Sequence, residues 1–167
     1  LDTADYSGAG SAVSARMDGV SGTVGDALGD VLSGIERMVG SGFGDTLLGS
    51  ASADTIDGGA GDDLVQGAAG DDTLLGGAGD DVIEGGSGAD TIEGGAGHDR
   101  ADYSLSGSGV SVYLDGTTGF RGLATGDTLA GIEEVTGSGN DDTIIGAGAD
   151  ETLHGGGGND LLAGRGG

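Results

Sequence analysis

An all-β chain wound as a parallel solenoid, with about 18 residues to each coil, is the fold class predicted by three features of the sequence. The first is a nine-residue register. From Gly58 to Asp102 the chain reads GGAGDDLVQ, GAAGDDTLL, GGAGDDVIE, GGSGADTIE and GGAGHDRAD, with glycine first and fourth, aspartate sixth and an aliphatic residue eighth except at Ala101. The second is the division of each nine into a glycine-rich six, which can turn tightly, and an extended three, so that two loops and two strands close one coil. The third is that only the eighth residue is reliably aliphatic, which points it into a core while its neighbours face outward. In weaker form the register runs back through Gly49–Asp57 and Gly40–Leu48, making seven nonapeptides from Gly40 to Asp102.

Residues 1–39 precede this block as a linking segment, in which Leu32, Ile35 and Met38 are the expected core residues. Residues 103–136 are a second linking segment and copy residues 6–39 at a constant offset: Ala4-Asp5-Tyr6-Ser7 recurs as Ala101-Asp102-Tyr103-Ser104, Gly34-Ile35-Glu36 as Gly131-Ile132-Glu133, and Gly40-Ser41-Gly42 as Gly137-Ser138-Gly139. Such a tandem copy predicts a window on a longer array. Strands are expected over Val110–Leu114 and around Leu129, Ile132 and Val135, although an amphipathic helix over Leu129–Val135 fits the same spacing. Because its length is close to that of two coils, the linking segment is expected to continue the solenoid as two less regular, metal-free coils. Nonapeptides resume over 137–167, where Glu151 takes the place of an aspartate.

Stacking at about 4.8 Å per coil sorts the sixth-position aspartates into columns: Asp45, Asp63, Asp81 and Asp99 on one edge, Asp54, Asp72 and Asp90 on the other, with Asp142 and Asp160 in the second block. Two carboxylates about 5 Å apart repel by about 1 kcal/mol in water and about 3 kcal/mol at an effective dielectric near 20. Several such pairs rival the ~5–15 kcal/mol stability of a whole domain, so a cation must neutralise them. Carboxylate and carbonyl oxygens without cysteine or histidine ligands suit calcium better than zinc or copper. Glycine and aspartate also mark ordinary solvated turns, but turn chemistry alone demands no nine-residue register.

The composition narrows the function. Among 167 residues, 29 are acidic and 5 basic, a formal net charge of −24, which disfavours nucleic acid as a partner. No apolar run approaches a membrane span, and the absence of cysteine excludes disulfides and thiolate metal sites. His98 at a variable fifth position and His154 at an outward ninth read as surface residues rather than catalytic bases, and no EF-hand loop or nucleophile elbow is present. Thr55, Thr73 and Thr91 form one outward column of the kind used by ice-binding solenoids, but flanked by Asp57, Leu75 and Glu93 it is an ordinary outward use of threonine.

The nonapeptides resemble the RTX (repeats-in-toxin) family, segments of proteins that Gram-negative bacteria export by type I secretion. The resemblance implies a right-handed parallel β-roll with calcium held between the loops of successive coils. It assigns as ligands the carboxylates of Asp45, Asp54, Asp63, Asp72, Asp81, Asp90, Asp99, Asp142 and Asp160, with Gly58, Gly61, Gly76, Gly79, Gly94 and Gly97 among the loop glycines. One ion is expected in each gap between successive ligands of a column. Gly49-Ser50-Ala51-Ser52-Ala53-Asp54 lacks the second and fourth glycines, so its site should be weaker or differently shaped, and the longer side chain of Glu151 should leave its own distorted or empty. The function expected is a calcium-dependent, non-enzymatic structural segment of a large secreted or cell-surface protein that folds after export. The alternative is a module that binds polysaccharide or further copies of itself, as in adhesins, surface-layer proteins or secreted enzymes.

Overall fold

Two nonapeptides separate hydrogen-bonded neighbours through most of the chain: Thr55 pairs with Thr73 and Thr73 with Thr91 on one face, Leu64 with Val82 on the other. The computed structural model describes residues 1–166, so the final loop at Gly164–Gly167 is described only to Gly166 and Gly167 lies outside the described residues. Every strand pairing is parallel. The first sheet stacks Thr3–Asp5, Arg37–Val39, Thr55–Ala60, Thr73–Ala78, Thr91–Ala96 and Thr128–Ala130; the second stacks Ser14–Arg16, Thr46–Leu48, Leu64–Ala69, Val82–Ser87, Arg100–Asp102, Glu134–Thr136 and Thr152–His154. A third, of Ser111–Tyr113, Thr143–Ile145 and Leu161–Ala163, serves the second block. The only helical elements among the described residues are two single 3-10 turns, at Gly25–Ala27 and Gly122–Ala124.

In the regular block the core is built of eighth-position side chains from the two facing sheets. Leu47, Ile56, Val65, Leu74, Ile83, Ile92 and Ala101 are all at most 1% exposed, each aliphatic member stabilising the coil by about 1.5–3 kcal/mol. Within the regular block the strands are longer than the expected triplets. Thr55–Ala60 and its partners run six residues, pairing Gly59 with Gly77 and Ala60 with Ala78, so the ladder continues through half of what composition marks as loop. Inward-facing residues consequently alternate from the sixth-position aspartate through the eighth-position aliphatic to the next first-position glycine, all three buried.

The linking segment completes one coil rather than two. Arg100 pairs directly with Glu134, so the whole segment advances the second sheet by a single row. The surplus lies on the opposite face. From Asp102 the chain crosses to Ser111–Tyr113 and doubles back, with Phe120 N donating to Ser111 O (3.1 Å) and Gly119 N donating to Asp127 O (2.8 Å). It then lays Thr128–Ala130 against Thr91–Glu93 before returning. Leu129 and Val135 sit on strands, with Ile132 buried between them, so the helical alternative does not form. Residues 3–39 repeat the excursion: Arg37 pairs with Thr3, and Thr23 N donates to Ser14 O.

Candidate metal centres along the loop edges

Because the sixth position faces inward immediately before each strand, Asp45, Asp54, Asp63, Asp72, Asp81, Asp90, Asp99 and Asp142 are all buried, at 0–3% exposure, while Asp160 is half-buried. The two expected columns form, and one oxygen of each carboxylate is used in the same way throughout. Oδ1 of Asp63, Asp72, Asp81, Asp90, Asp99 and Asp160 accepts the backbone N–H of the aspartate one coil earlier, at 2.7–3.0 Å. Asp45 and Asp142 accept from Val13 and Val110 (2.7 Å each). These are charge-assisted bonds, and they lock neighbouring coils in register.

The second oxygen divides the repeats into two kinds. In Asp63, Asp72, Asp81, Asp90 and Asp99, Oδ2 is buried and has no hydrogen-bond partner among the described residues. Around three of these oxygens the backbone is built alike. A Cβ on Gly58 would collide with Asp63 Oδ2 and with the carbonyl of Gly76 one coil on; Gly67 stands in that relation to Asp72 and Gly85, and Gly76 to Asp81 and Gly94. First-position glycine thus lets a carboxylate and a carbonyl converge. Gly61, Gly79 and Gly97, at φ 106°, 136° and 146°, let the loop corners of successive coils approach, since a Cβ there would strike the coil before. A buried carboxylate oxygen without a donor carries a desolvation penalty of several kcal/mol (on the order of 2–7 kcal/mol even for a neutral polar group). Burial accordingly pushes Asp63 and Asp72 up to about 7 and raises Asp81, Asp90 and Asp99, with neighbouring carboxylates adding to the shift.

In Asp45, Asp54 and Asp142 the same oxygen accepts a backbone N–H from Ser41, Ser50 and Ser138, the last two at 2.6 Å. The hydroxyls of Ser41 and Ser138 donate to Oδ1 as well (2.8 Å). The gaps Asp45/Asp63, Asp54/Asp72 and Asp142/Asp160 therefore differ from Asp63/Asp81, Asp72/Asp90 and Asp81/Asp99, which the spacing alone sets equal. Backbone direction is the reason. The second residue has positive φ in the five regular repeats (Gly59 102°, Ala68 77°, Gly77 115°, Gly86 99°, Gly95 119°), whereas the three serines do not, and their N–H groups turn onto the carboxylate. Glu151 curls back into its own loop, where Oε1 accepts N–H groups from Ala147, Gly148 and Ala149 that hold its carboxyl below the usual range.

Two acids that the nonapeptide pattern does not single out extend the columns. Asp127 Oδ1 accepts the Asp90 amide (2.9 Å) and its Oδ2 accepts the Tyr103 hydroxyl (2.9 Å); burial raises its carboxyl to about 7. Glu133 Oε2 accepts the Asp99 amide (3.0 Å). Their sequence signal is the internal copy, since Tyr6–Asp30 and Asp2–Glu36 make the same contacts in the first linking segment. Fifth-position acids act in the opposite direction: Asp62, Asp71, Asp80 and Asp141 accept amides one coil later, from exposed positions. His98 is exposed, and His154 lies on the surface 3.5 Å from Glu134.

No cluster of three or more histidine, cysteine or acidic side chains gathers among the described residues. Each gap instead joins two carboxylates to backbone carbonyls, an all-oxygen donor set that fits a hard cation of calcium's type. No helix among the described residues is long and apolar enough to cross a membrane. No curated protein matches the chain. The family described as RTX calcium-binding nonapeptide repeat matches it in four copies, over residues 30–65, 39–74, 66–101 and 127–167. The nine-residue register, the parallel coil of two nonapeptides and the family match agree, and the chain belongs to the RTX calcium-binding nonapeptide repeat family.

Proposed function

We propose that this chain is a calcium-dependent structural segment of a large secreted or cell-surface protein, disordered during export and folded by calcium outside the cell. The observation that carries this reading is the set of buried, unpartnered carboxylate oxygens of Asp63, Asp72, Asp81, Asp90 and Asp99. Buried without donors, these oxygens oppose the fold, and cations in the Asp63/Asp81, Asp72/Asp90 and Asp81/Asp99 gaps relieve that opposition, which makes ion binding and folding one event. Extracellular calcium modules work in the ~10⁻⁴–10⁻³ M range, far above cytosolic calcium, so the switch is set by compartment. The ligands in this reading are those carboxylates, with the first-position carbonyls of Gly76, Gly85 and Gly94 and the facing Asp81, Asp90 and Asp99. Bound calcium supplies neutralising charge and coordination, and the chain supplies the register that brings its oxygens together.

The test is far-UV circular dichroism of the chain in chelator and through a calcium titration. A disordered spectrum converting to a β spectrum by millimolar calcium is expected. A β spectrum already complete in chelator would overturn the proposal.

A further inference from the structure

The geometry points to one more cation site, at the seam where the regular block meets the linking segment, formed by Asp99, the carbonyl of Gly131 and Glu133. It rests on the reading of the columns as calcium sites and extends it to residues outside any nonapeptide. Asp99 is 0% exposed and its Oδ2 has no hydrogen-bond partner among the described residues, although no further nonapeptide stacks upon it. What stacks there is the returning end of the linking segment.

That end reproduces the approach of carboxylate and carbonyl seen in the regular gap. In the block, a Cβ on Gly76 would meet Asp81 Oδ2 and the carbonyl of Gly94 one coil on. At the seam, a Cβ on Gly94 would meet Asp99 Oδ2 and the carbonyl of Gly131. The facing acid is matched too: Asp99 receives the Asp81 amide at 3.0 Å, and Glu133 receives the Asp99 amide at 3.0 Å. Glutamate's extra methylene is accommodated because Gly131 precedes it by two residues rather than five, and Gly131 adopts φ 58°, a left-handed conformation that swings its carbonyl over Gly94. The other column shows what an unmatched seam looks like. Around Gly85 no carbonyl approaches nearer than 3.3 Å, and the second oxygen of Asp127 is held by Tyr103.

A cation at this seam joins Asp99, before the excursion of the linking segment, to Gly131 and Glu133, after it. It therefore closes the linking segment, which makes that segment calcium-dependent instead of the metal-free spacer that its sequence suggests.

Calcium bound per chain, counted by equilibrium dialysis at saturating free calcium, tests this with Glu133→Gln, whose amide oxygen can still accept the Asp99 N–H and preserve the fold. The variant is expected to bind one ion fewer than the parent while keeping the calcium-induced β spectrum. The outward Glu134→Gln, with the same change in charge, is expected to keep the full count. A full count in Glu133→Gln, or an equal loss in Glu134→Gln, overturns the seam site. A parent that binds no calcium overturns instead the reading on which it rests. Should Glu133→Gln fail to fold, amide exchange in the unmutated chain decides. With the regular block folded in calcium, the N–H groups of Glu133 and Glu134, which donate to Asp99 O, are expected to be protected like those of the block, and exchange there as fast as in chelator refutes the site.

Discussion

Repeats that begin Gly-Gly or Gly-Ala and repeats that begin Gly-Ser share a sixth-position aspartate, a burial pattern and a hydrogen bond to the coil before, yet they treat their second carboxylate oxygen in opposite ways. After Gly59, Ala68, Gly77, Gly86 and Gly95 that oxygen has no protein donor; after Ser41, Ser50 and Ser138 the protein satisfies it. The sign of φ at the second residue accompanies the difference: it is positive in the repeats whose oxygen has no donor, Ala68 included (77°, despite its Cβ), and not positive at the three serines whose N–H reaches the carboxylate. The serine repeats lie where a block begins, at Gly40, Gly49 and Gly137. A block thus starts on aspartates stabilised by protein donors and proceeds to aspartates whose second oxygen has none.

Protons offer the broadest way to test this contrast, because they act on all the unpartnered carboxylates together. Burial raises Asp63 and Asp72 to about 7, against about 3.9 in an unfolded chain. Their contribution to the metal-free fold is fully favourable below about pH 4 and is lost as pH rises through about 7. In chelator, circular dichroism is expected to show β structure growing as pH is lowered from 8 to 5; a metal-free spectrum independent of pH would remove the distinction between the two kinds of repeat.

Asp81→Ala comes next in size, since Asp81 receives the Asp63 amide and presents Oδ2 toward Gly94. It should raise the calcium midpoint of folding about tenfold or more, given the ~1.5–3 kcal/mol typical of one hydrogen bond to a charged group. Asp45→Ala should shift it less, and equal shifts would contradict the division.

Gly77→Ser should not convert a repeat from one kind to the other. At φ 115° its Cβ meets the carbonyl of Gly59, so it is expected to destabilise the calcium-bound fold by about 1–3 kcal/mol in thermal melts. The productive exchange is the reverse one. Ser41→Gly should lose about 1 kcal/mol of protein-supplied stabilisation and gain one bound calcium in the Asp45/Asp63 gap, readable by dialysis. An unchanged count would show that serine does not decide occupancy.

The smallest effect belongs to Asp80→Ala. The exposed Asp80 carboxylate accepts the His98 amide, so the loss should stay near ~0.5–1 kcal/mol and the calcium midpoint should move far less than for Asp81→Ala.

Periodicity made the coil length, the core residues from Leu47 to Ala101 and the two aspartate columns legible in the sequence, because each depends only on residues one or two nonapeptides apart. The split among the columns was visible as Gly-Ser against Gly-Gly, but its meaning lies in a torsion that composition does not encode. The roles of Gly131, Glu133 and Asp127 were hidden for another reason: they face residues 34 to 37 positions away, across a fold-back that breaks the period. Segment length alone cannot distinguish two coils from one coil with a detour. The copied Tyr6–Asp30 and Tyr103–Asp127 pairs, each with the same separation in sequence, were the trace of that detour.

The detour also sets the course of the solenoid axis. Between Arg100 and Glu134 the second sheet advances one row, while the opposite face accommodates the fold-back at Gly119–Phe120 and the strand Thr128–Ala130 as additional rows. A stack lengthened on one side must tilt toward the other. In the earlier excursion the added rows lie on the face of the second sheet, because Ser14–Arg16 pairs with Thr46–Leu48 there; in the later one they lie on the face of the first. Seven nonapeptides separate the two excursions, an odd number of half-turns, which is why their added rows fall on opposite faces of the solenoid.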